Sequence, residues 1–263
     1  MKTNIAEILA IGDELCYGRV YDKNSFWLAN QVTHLGVLVK RITCVRDDID
    51  EICSVLKEML DRNPNFIFIT GGLGPTEDDK TIEALSKLTC RPIMVDKNIL
   101  KIMSERRKLS SAQVMPHHYK MSSTLAGAKC LPNPIGWASL ITLKIKNTTI
   151  FTLPGPPKEA QSCFKAYLVK EIQNATHYYS FAKRVTVTIR SESEVSPLVN
   201  KIMQTFPFVY LKPLVSEATS NVGLPVEILV FGNDEKVCMR RYRQVIEMLC
   251  ELIKKMGKNL KEL

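Results

Sequence analysis

Apolar runs that break off into tight turns, each followed by a helix-patterned stretch, constrain this fold more than anything else in the chain. Residues 5–11 run into Gly12-Asp13-Glu14, residues 66–70 into Gly71-Gly72-Leu73-Gly74, and residues 149–153 into Pro154-Gly155-Pro156-Pro157. Helical spacings separate the first runs: Trp27, Leu28, Gln31, Val32 and Leu35, then Ile52, Val55, Leu56, Met59 and Leu60. Asp22 or Asn24 can cap the first helix and Gly36 ends it, while Asp48-x-x-Glu51 reads as a capping box for the second. The order β-α-β-α-β with short connections predicts an α/β fold, a doubly wound and mostly parallel sheet with helices on both faces.

Such sheets bind ligands at the carboxyl ends of their strands, the edge on which all three turns fall. Gly71, Gly72 and Gly74 let the backbone approach a ligand closely and aim N–H groups at phosphate. Asp78 and Asp79 follow that loop, and Asp13 and Glu14 follow the first strand; these carboxylates suit a divalent cation held against the phosphate. Asn24, Thr76, Gly155 and Lys158 complete the candidate phosphate-binding set. Plainer readings stand beside these: acidic residues favour the positive end of a helix dipole, and Asp13-Glu14 suits an exposed turn. His117 and His118, adjacent in sequence, are expected to point apart. The P-loop, dinucleotide-fingerprint and nucleophile-elbow patterns are all missing, which argues against those classes and against covalent catalysis.

Further on, a helix is expected around residues 96–109, an irregular stretch through Lys129, strands at 138–145 and 149–153, and a helix at 157–172. From Phe181 the pattern restarts as β-α-β-β-α, with a long helix at about 234–256 and Lys254, Lys255, Lys258 and Lys261 forming a solvated helix end. The domains expected are therefore residues 1–172 and a smaller α+β unit at 181–263. The net charge of +9 is uneven, since residues 91–170 hold 13 Lys and Arg against 3 Asp and Glu. That excess suggests a cationic wall facing ligand phosphates, a nucleic-acid surface, or plain solubility. The eight cysteines form no C-x-x-C pair and are expected to be buried free thiols. No apolar run approaches the roughly 20 residues that span a bilayer, and no secretory signal is seen, so a cytoplasmic protein without a membrane partner is expected.

The stretch Ile11-Gly12-Asp13-Glu14-Leu15, with Gly18, Asp22, Asn24 and Trp27-Leu28-Ala29, resembles the opening of the CinA N-terminal domain. Gly71 to Thr81 is the close match, and Leu153 to Glu159 looks like that family's third signature. The resemblance covers residues 4 to about 170. It implies the fold of the molybdopterin-binding domains of molybdenum-cofactor biosynthesis, and a phosphorylated ligand, nucleotide or pterin, at the glycine loop. It also implies metal-dependent (Mg, Mn or Co) hydrolysis of a nucleotide pyrophosphate such as ADP-ribose or FAD. The catalytic residues would be Asp79 and Glu14, and the metal ligands Asp78, Asp79, Asp13 and Glu14. The alternative is a molybdopterin-binding relative without hydrolase activity. A homo-oligomer is expected. The second domain resembles the KH-like module of CinA proteins but shows no G-x-x-G clamp, so nucleic-acid binding is not expected. The NMN-deamidase activity of longer CinA proteins is not expected either. Where the family shows a Gly-Thr-Ala-Pro-Gly-like run, this chain has Gly136-Trp137-Ala138-Ser139-Leu140, and Trp137 is expected to reshape the pocket.

Overall fold

The computed structural model describes residues 4–176, 179–189, 191–217 and 223–262. The opening Met1-Lys2-Thr3 and the final Leu263 of the expected domains lie outside them. The chain divides into two compact units, Met1–Thr33 with Val37–Asn174, and His34–Gly36 with Ala175–Leu263.

In the first unit, β1 (Asn4–Ile11), a short α1 (Asp13–Cys16), α2 (Lys23–His34), β2 (Val37–Val45), α3 (Ile49–Asp61), β3 (Phe66–Thr70) and α4 (Thr81–Thr89) follow one another. Then come β4 (Ile93–Val95), α5 (Lys97–Arg106), α6 (Pro116–Met121), β5 (Ser123–Leu125), β6 (Lys129–Leu131), β7 (Leu140–Ile145), β8 (Thr148–Leu153) and α7 (Pro157–Cys163). A π-turn at Phe164–Leu168 continues α7 into α8 (Val169–Thr176). Six strands form one sheet in the order β2-β1-β3-β8-β7-β6. The first four run parallel, while β7 and β6 are antiparallel additions.

The doubly wound arrangement follows from the period-2 pattern of β3, buried at every position. Ile67 and Ile69 face α3 and α4, packing with Ile52, Leu56, Met59 and Leu85. Phe66 and Phe68 face the other way, where Phe68 meets Phe151 with ring centroids 5.3 Å apart and Trp27 of α2 meets Phe164 edge-on at 5.3 Å. Each such side chain, fully buried, contributes about 1.5–3 kcal/mol. Among the described residues one charge interrupts this core: Glu7, 1 % exposed on β1, accepts from Arg62 Nε and Nη2 at 2.8 and 2.7 Å.

Asp22 and Asp48 cap as expected, though α3 shows the Asp48 half of the expected capping box without a returning Glu51 side-chain bond among the described residues. Asp48 accepts from the Asp50 and Glu51 N–H groups at the start of α3, and Asp22 accepts from the Ser25 N–H beside α2. The stretch expected to be irregular through Lys129 is ordered in part. It holds α6 and three-residue strands β5 and β6, with β5 pairing antiparallel to β4. Strands this short carry too little alternation to register as periodic. Thiols also depart from expectation. All eight are free, but Cys16, Cys44 and Cys90 are exposed, and only Cys163 and Cys238 are buried.

The second unit holds β9 (Tyr179–Val187), α9 (Glu192–Thr205), β10 (Val209–Pro213), β11 (Leu224–Gly232), α10 (Glu235–Lys255) and β12 (Leu260–Glu262). Its antiparallel sheet runs β10-β11-β9-β12. The alternating inward face of β11, through Val226, Ile228 and Val230, packs with Val195, Val199 and Ile202 of α9 and Val245, Leu249 and Ile253 of α10. The sequence missed β12, so Lys261 falls in a strand paired with β9, rather than on the solvated helix end where Lys254 and Lys255 do lie. No helix among the described residues is long and apolar enough to cross a membrane.

Candidate functional site

Strand register brings the three turns level. Ala10 pairs with Thr70 and Thr70 with Leu153, so Gly12, Gly71 and Pro154 leave the sheet side by side, and Ile11 pairs with Val45, bringing Asp47 to the same edge. Above that edge lies a cavity of about 910 Å³, within the range typical of small-molecule sites.

The glycine loop is held in a shape that glycine alone tolerates at two positions. Gly71 has φ +102°, and a Cβ there would run into the Ile11 carbonyl oxygen; Gly72 has φ +66°, and a Cβ there would meet the Thr81 hydroxyl. The Thr81 hydroxyl, fully buried, donates to the Gly71 carbonyl at 2.8 Å. Gly71 N–H bonds Leu153 O at 3.2 Å. Gly74 N–H and Thr76 N–H donate to the two carboxylate oxygens of Asp79 at 2.7 and 2.9 Å, and the Thr76 hydroxyl adds a third bond. Gly72 and Leu73 N–H groups are the pair within residues 71–74 that no protein acceptor takes up, among the described residues.

The expected site residues divide accordingly. Gly71, Gly72, Gly74, Asn24, Gly155, Glu14, Asp78 and Asp79 all line the one cavity. Asn24 stitches its walls: Nδ2 donates to the Thr70 hydroxyl and to the Gly155 carbonyl, both at 2.7 Å. Thr76 is exposed beside the loop, and the Lys120 ammonium bonds its carbonyl. Lys158 is exposed on the first turn of α7, outside the lining. Asp13 is also taken up elsewhere. Its oxygens accept from Arg46 Nε and Nη2 at 3.0 and 3.2 Å, and the Arg46 guanidinium holds its carboxyl below the usual carboxylate range. No group of three or more His, Cys, Asp or Glu among the described residues is gathered closely enough to hold a metal ion by itself.

Four lining residues, Asp47, His117, His118 and Glu159, were not among the expected site residues, and Trp137, expected to reshape the pocket, joins them. Asp47 exchanges hydrogen bonds with Asp13, accepting its N–H at 2.9 Å and donating its own N–H back at 3.2 Å; burial pushes the Asp47 carboxyl up. Its signal was available, since it lies two residues past the end of β2 on the ligand edge. His117 and His118 do not point apart. The ring of His118 folds back to accept the Met115 N–H at 2.9 Å, which brings it to the helix start and within 3.1 Å, Nε2 to Nε2, of His117. With Nδ1 accepting, the proton of a neutral His118 sits on Nε2, and burial followed by the neighbouring His117 lowers its pKa. His118 also stacks on Trp137 at 4.4 Å, and the Trp137 Nε1–H donates to the buried Ser122 hydroxyl at 3.2 Å. Glu159, half-buried, completes the wall.

The cavity thus joins the glycine loop, several carboxylates and the flat rings of His118 and Trp137 in one lining. Its charged lining is Glu14, Asp22, Asp47, Asp78, Asp79 and Glu159 against Lys23 and Arg107. This corrects the cationic-wall expectation: of the basic residues in 91–170, Arg107 is the one that reaches the lining, among the described residues.

Comparison with known proteins gives this geometry a context. Residues 7–174 match the family described as a probable molybdopterin binding domain. A protein of Metallosphaera sedula is 32 % identical over 256 residues, covering 97 % of this chain and 96 % of its own. A protein of Pyrococcus abyssi is 32 % identical over 265 residues, covering 98 % of each. The crystal structure of CinA from Thermoplasma acidophilum, described as of unknown function, is 28 % identical with a TM-score of 0.60, covering 65 % of this chain and 98 % of that one.

Proposed function

This chain belongs to the molybdopterin-binding domain family, matched over residues 7–174, and from that premise we propose that its cavity binds a phosphorylated heteroaromatic ligand with a divalent cation and hydrolyses a pyrophosphate link, as in ADP-ribose or FAD. The observation that carries the reading is one cavity joining two unpaired backbone N–H groups, Gly72 and Leu73, to six carboxylates against two cationic side chains. Backbone N–H groups favour an anion, while the carboxylates repel it unless a cation comes with it.

The donor set fits such a cation in a particular way. Asp13, Asp47 and Asp79 each take up hydrogen bonds from neighbouring turns. Glu14 and Asp78, the latter held below the usual carboxylate range first by a hydrogen bond from Thr76, are the carboxylates that would hold it. One or two carboxylates completed by ligand phosphates is how Mg²⁺ binds, and oxygen donors suit Mg²⁺ and Mn²⁺. When bound, the ion polarises a phosphoryl oxygen and lowers the pKa of water. The chain's own part is positional. Gly72 and Leu73 N–H groups receive a phosphate oxygen, Asp79 keeps their turn rigid, and Asn24 fixes that turn against the Gly155 wall. The Trp137–His118 wall takes the flat ring.

A second reading, binding of a pterin phosphate without hydrolysis, draws on the internal engagement of Asp13 and Asp79, which leaves few carboxylates for metal chemistry. One assay separates them: ADP-ribose, FAD and NADH incubated with Mg²⁺, Mn²⁺ or Co²⁺, with AMP as the product measured. Release that is lost in EDTA and falls at least roughly a hundredfold in Glu14→Ala and Asp78→Ala supports hydrolysis, since single stabilising groups carry about that much. Undiminished turnover in both variants sinks the metal assignment, and no turnover with any pair favours the pterin reading.

A further inference from the structure

Glu159 lines the same cavity as the glycine loop and Trp137 and holds neither cation nor phosphate in the reading above. It follows Gly155 by four residues, and Gly155 sits against Gly71 of the phosphate loop, with 3.5 Å between the position of a Cβ on Gly155 and the Gly71 Cα. Its carboxylate lies over Gly136, beside Trp137 of the ring wall; a Cβ at 136 would collide with it.

A fully buried amide holds it there. Asn133 is 0 % exposed, and its Nδ2 donates to Glu159 Oε2 at 2.7 Å and to Ala138 O at 2.9 Å. Its Oδ1 accepts the Ile135 and Gly136 N–H groups at 3.0 and 2.9 Å. Asn133 is saturated, whereas Glu159, which as a carboxylate can accept about four hydrogen bonds, receives this one. Burial pushes its carboxyl up, against the pull of Asn133 and of Arg107. The result is an oriented, half-buried acceptor short of donors.

In a nucleotide the group between phosphate and ring is the sugar, and a ribose presents two adjacent hydroxyl donors. We propose that Glu159 is a specificity-determining residue that accepts the ribose diol, so that the cavity selects ribonucleotides, with Asn133 as its positioning residue. This rests on the nucleotide reading above and separates it from the pterin reading, since a pterin phosphate carries no ribose.

The test is equilibrium binding of ADP and 2′,3′-dideoxy-ADP, each with Mg²⁺, to the wild-type chain and to Glu159→Ala and Glu159→Gln. ADP is expected to bind roughly tenfold or more tightly than the dideoxy compound in the wild type, as hydrogen bonds to a charged group warrant. The ratio should fall to about one in Glu159→Ala and to an intermediate value in Glu159→Gln, which keeps a neutral acceptor. Equal affinities in the wild type overturn the proposal while leaving the cavity reading intact. Equal weakening of both compounds in the variants overturns it too, making Glu159 a brace for the Trp137 loop. Binding of neither compound to the wild type overturns both the cavity reading and this inference.

Discussion

Replacing Asp79 by Asn tests whether this residue is a loop brace first. Oδ1 accepts the Gly74 N–H at 2.7 Å, while Oδ2 accepts the Thr76 N–H at 2.9 Å and the Thr76 hydroxyl. An amide has one oxygen, so either orientation of Asn turns an NH₂ group toward a backbone N–H. The hydroxyl can rotate and accept; the backbone cannot. Fully buried, each bond to a charged acceptor would be worth about 1.5–3 kcal/mol, but Thr76 is exposed and water replaces part of the loss. Loss of a helix-cap oxygen, a comparable change, costs about 0.5–2 kcal/mol. About 1–2 kcal/mol is therefore expected, a fall in Tm of roughly 2–8 °C for a domain of this size. The same loosening lets the turn that carries the Gly72 and Leu73 N–H groups move, and about 1.4 kcal/mol of lost order weakens phosphate binding about tenfold. Thermal unfolding and ADP-ribose binding, each with Mg²⁺ and with EDTA, read both effects. The brace predicts a lower Tm and weaker binding in both buffers. An unchanged Tm with loss confined to the Mg²⁺ buffer would refute the reasoning and make Asp79 a metal ligand.

Three further outcomes follow from the buried Glu7 and the half-buried Glu159. Arg62→Met leaves Glu7, 1 % exposed, without either of its guanidinium donors, and should cost about 3–5 kcal/mol in urea unfolding; an unchanged midpoint would show that the charge finds water. The folded-state pKa of Glu159 is raised from 4.5, so the folded form binds the proton more readily, and this group's contribution to stability declines as pH rises from 4.5 through the raised value. Diol binding runs the opposite way, because the ionised carboxylate is the better acceptor. The preference for ADP over 2′,3′-dideoxy-ADP should shrink on acidification through that window, and a ratio constant between pH 4 and 8 would count against Glu159.

What the sequence made legible was local. The strands β1, β2, β3 and β8 announce themselves as apolar runs, and the caps at Asp22 and Asp48 sit beside the backbone they satisfy. The glycine turns were readable because the strand-to-helix alternation fixed their edge. What stayed hidden depends on partners distant along the chain. Asp13 looked like a free turn carboxylate because Arg46, its partner, is 33 residues away. His118, Ser122 and Trp137 come from segments whose strands are three residues long, too short to fix a register before the fold exists. Asp79 is a mixed case: its partners Gly74 and Thr76 are near neighbours, yet acidity alone suggested a metal before it suggested a turn.

Charge shows the same division with a sharper consequence. The chain is basic as a whole, with a net charge of +9, and its excess lies in 91–170, which invites an anion site lined by lysines. The cavity instead gathers carboxylates from four separate turns, because successive parallel strands deliver their carboxyl-end residues to one edge. Neighbouring carboxylates disfavour one another's charge: burial raises the Asp47 carboxyl most, the Asp13 N–H bond opposes it, and the charges of Asp13, Glu14 and Asp78 add to the rise. An anionic ligand entering there relieves this repulsion only when it brings positive charge. The local surplus, opposite in sign to the global one, is therefore the feature that makes a divalent cation part of the proposed chemistry.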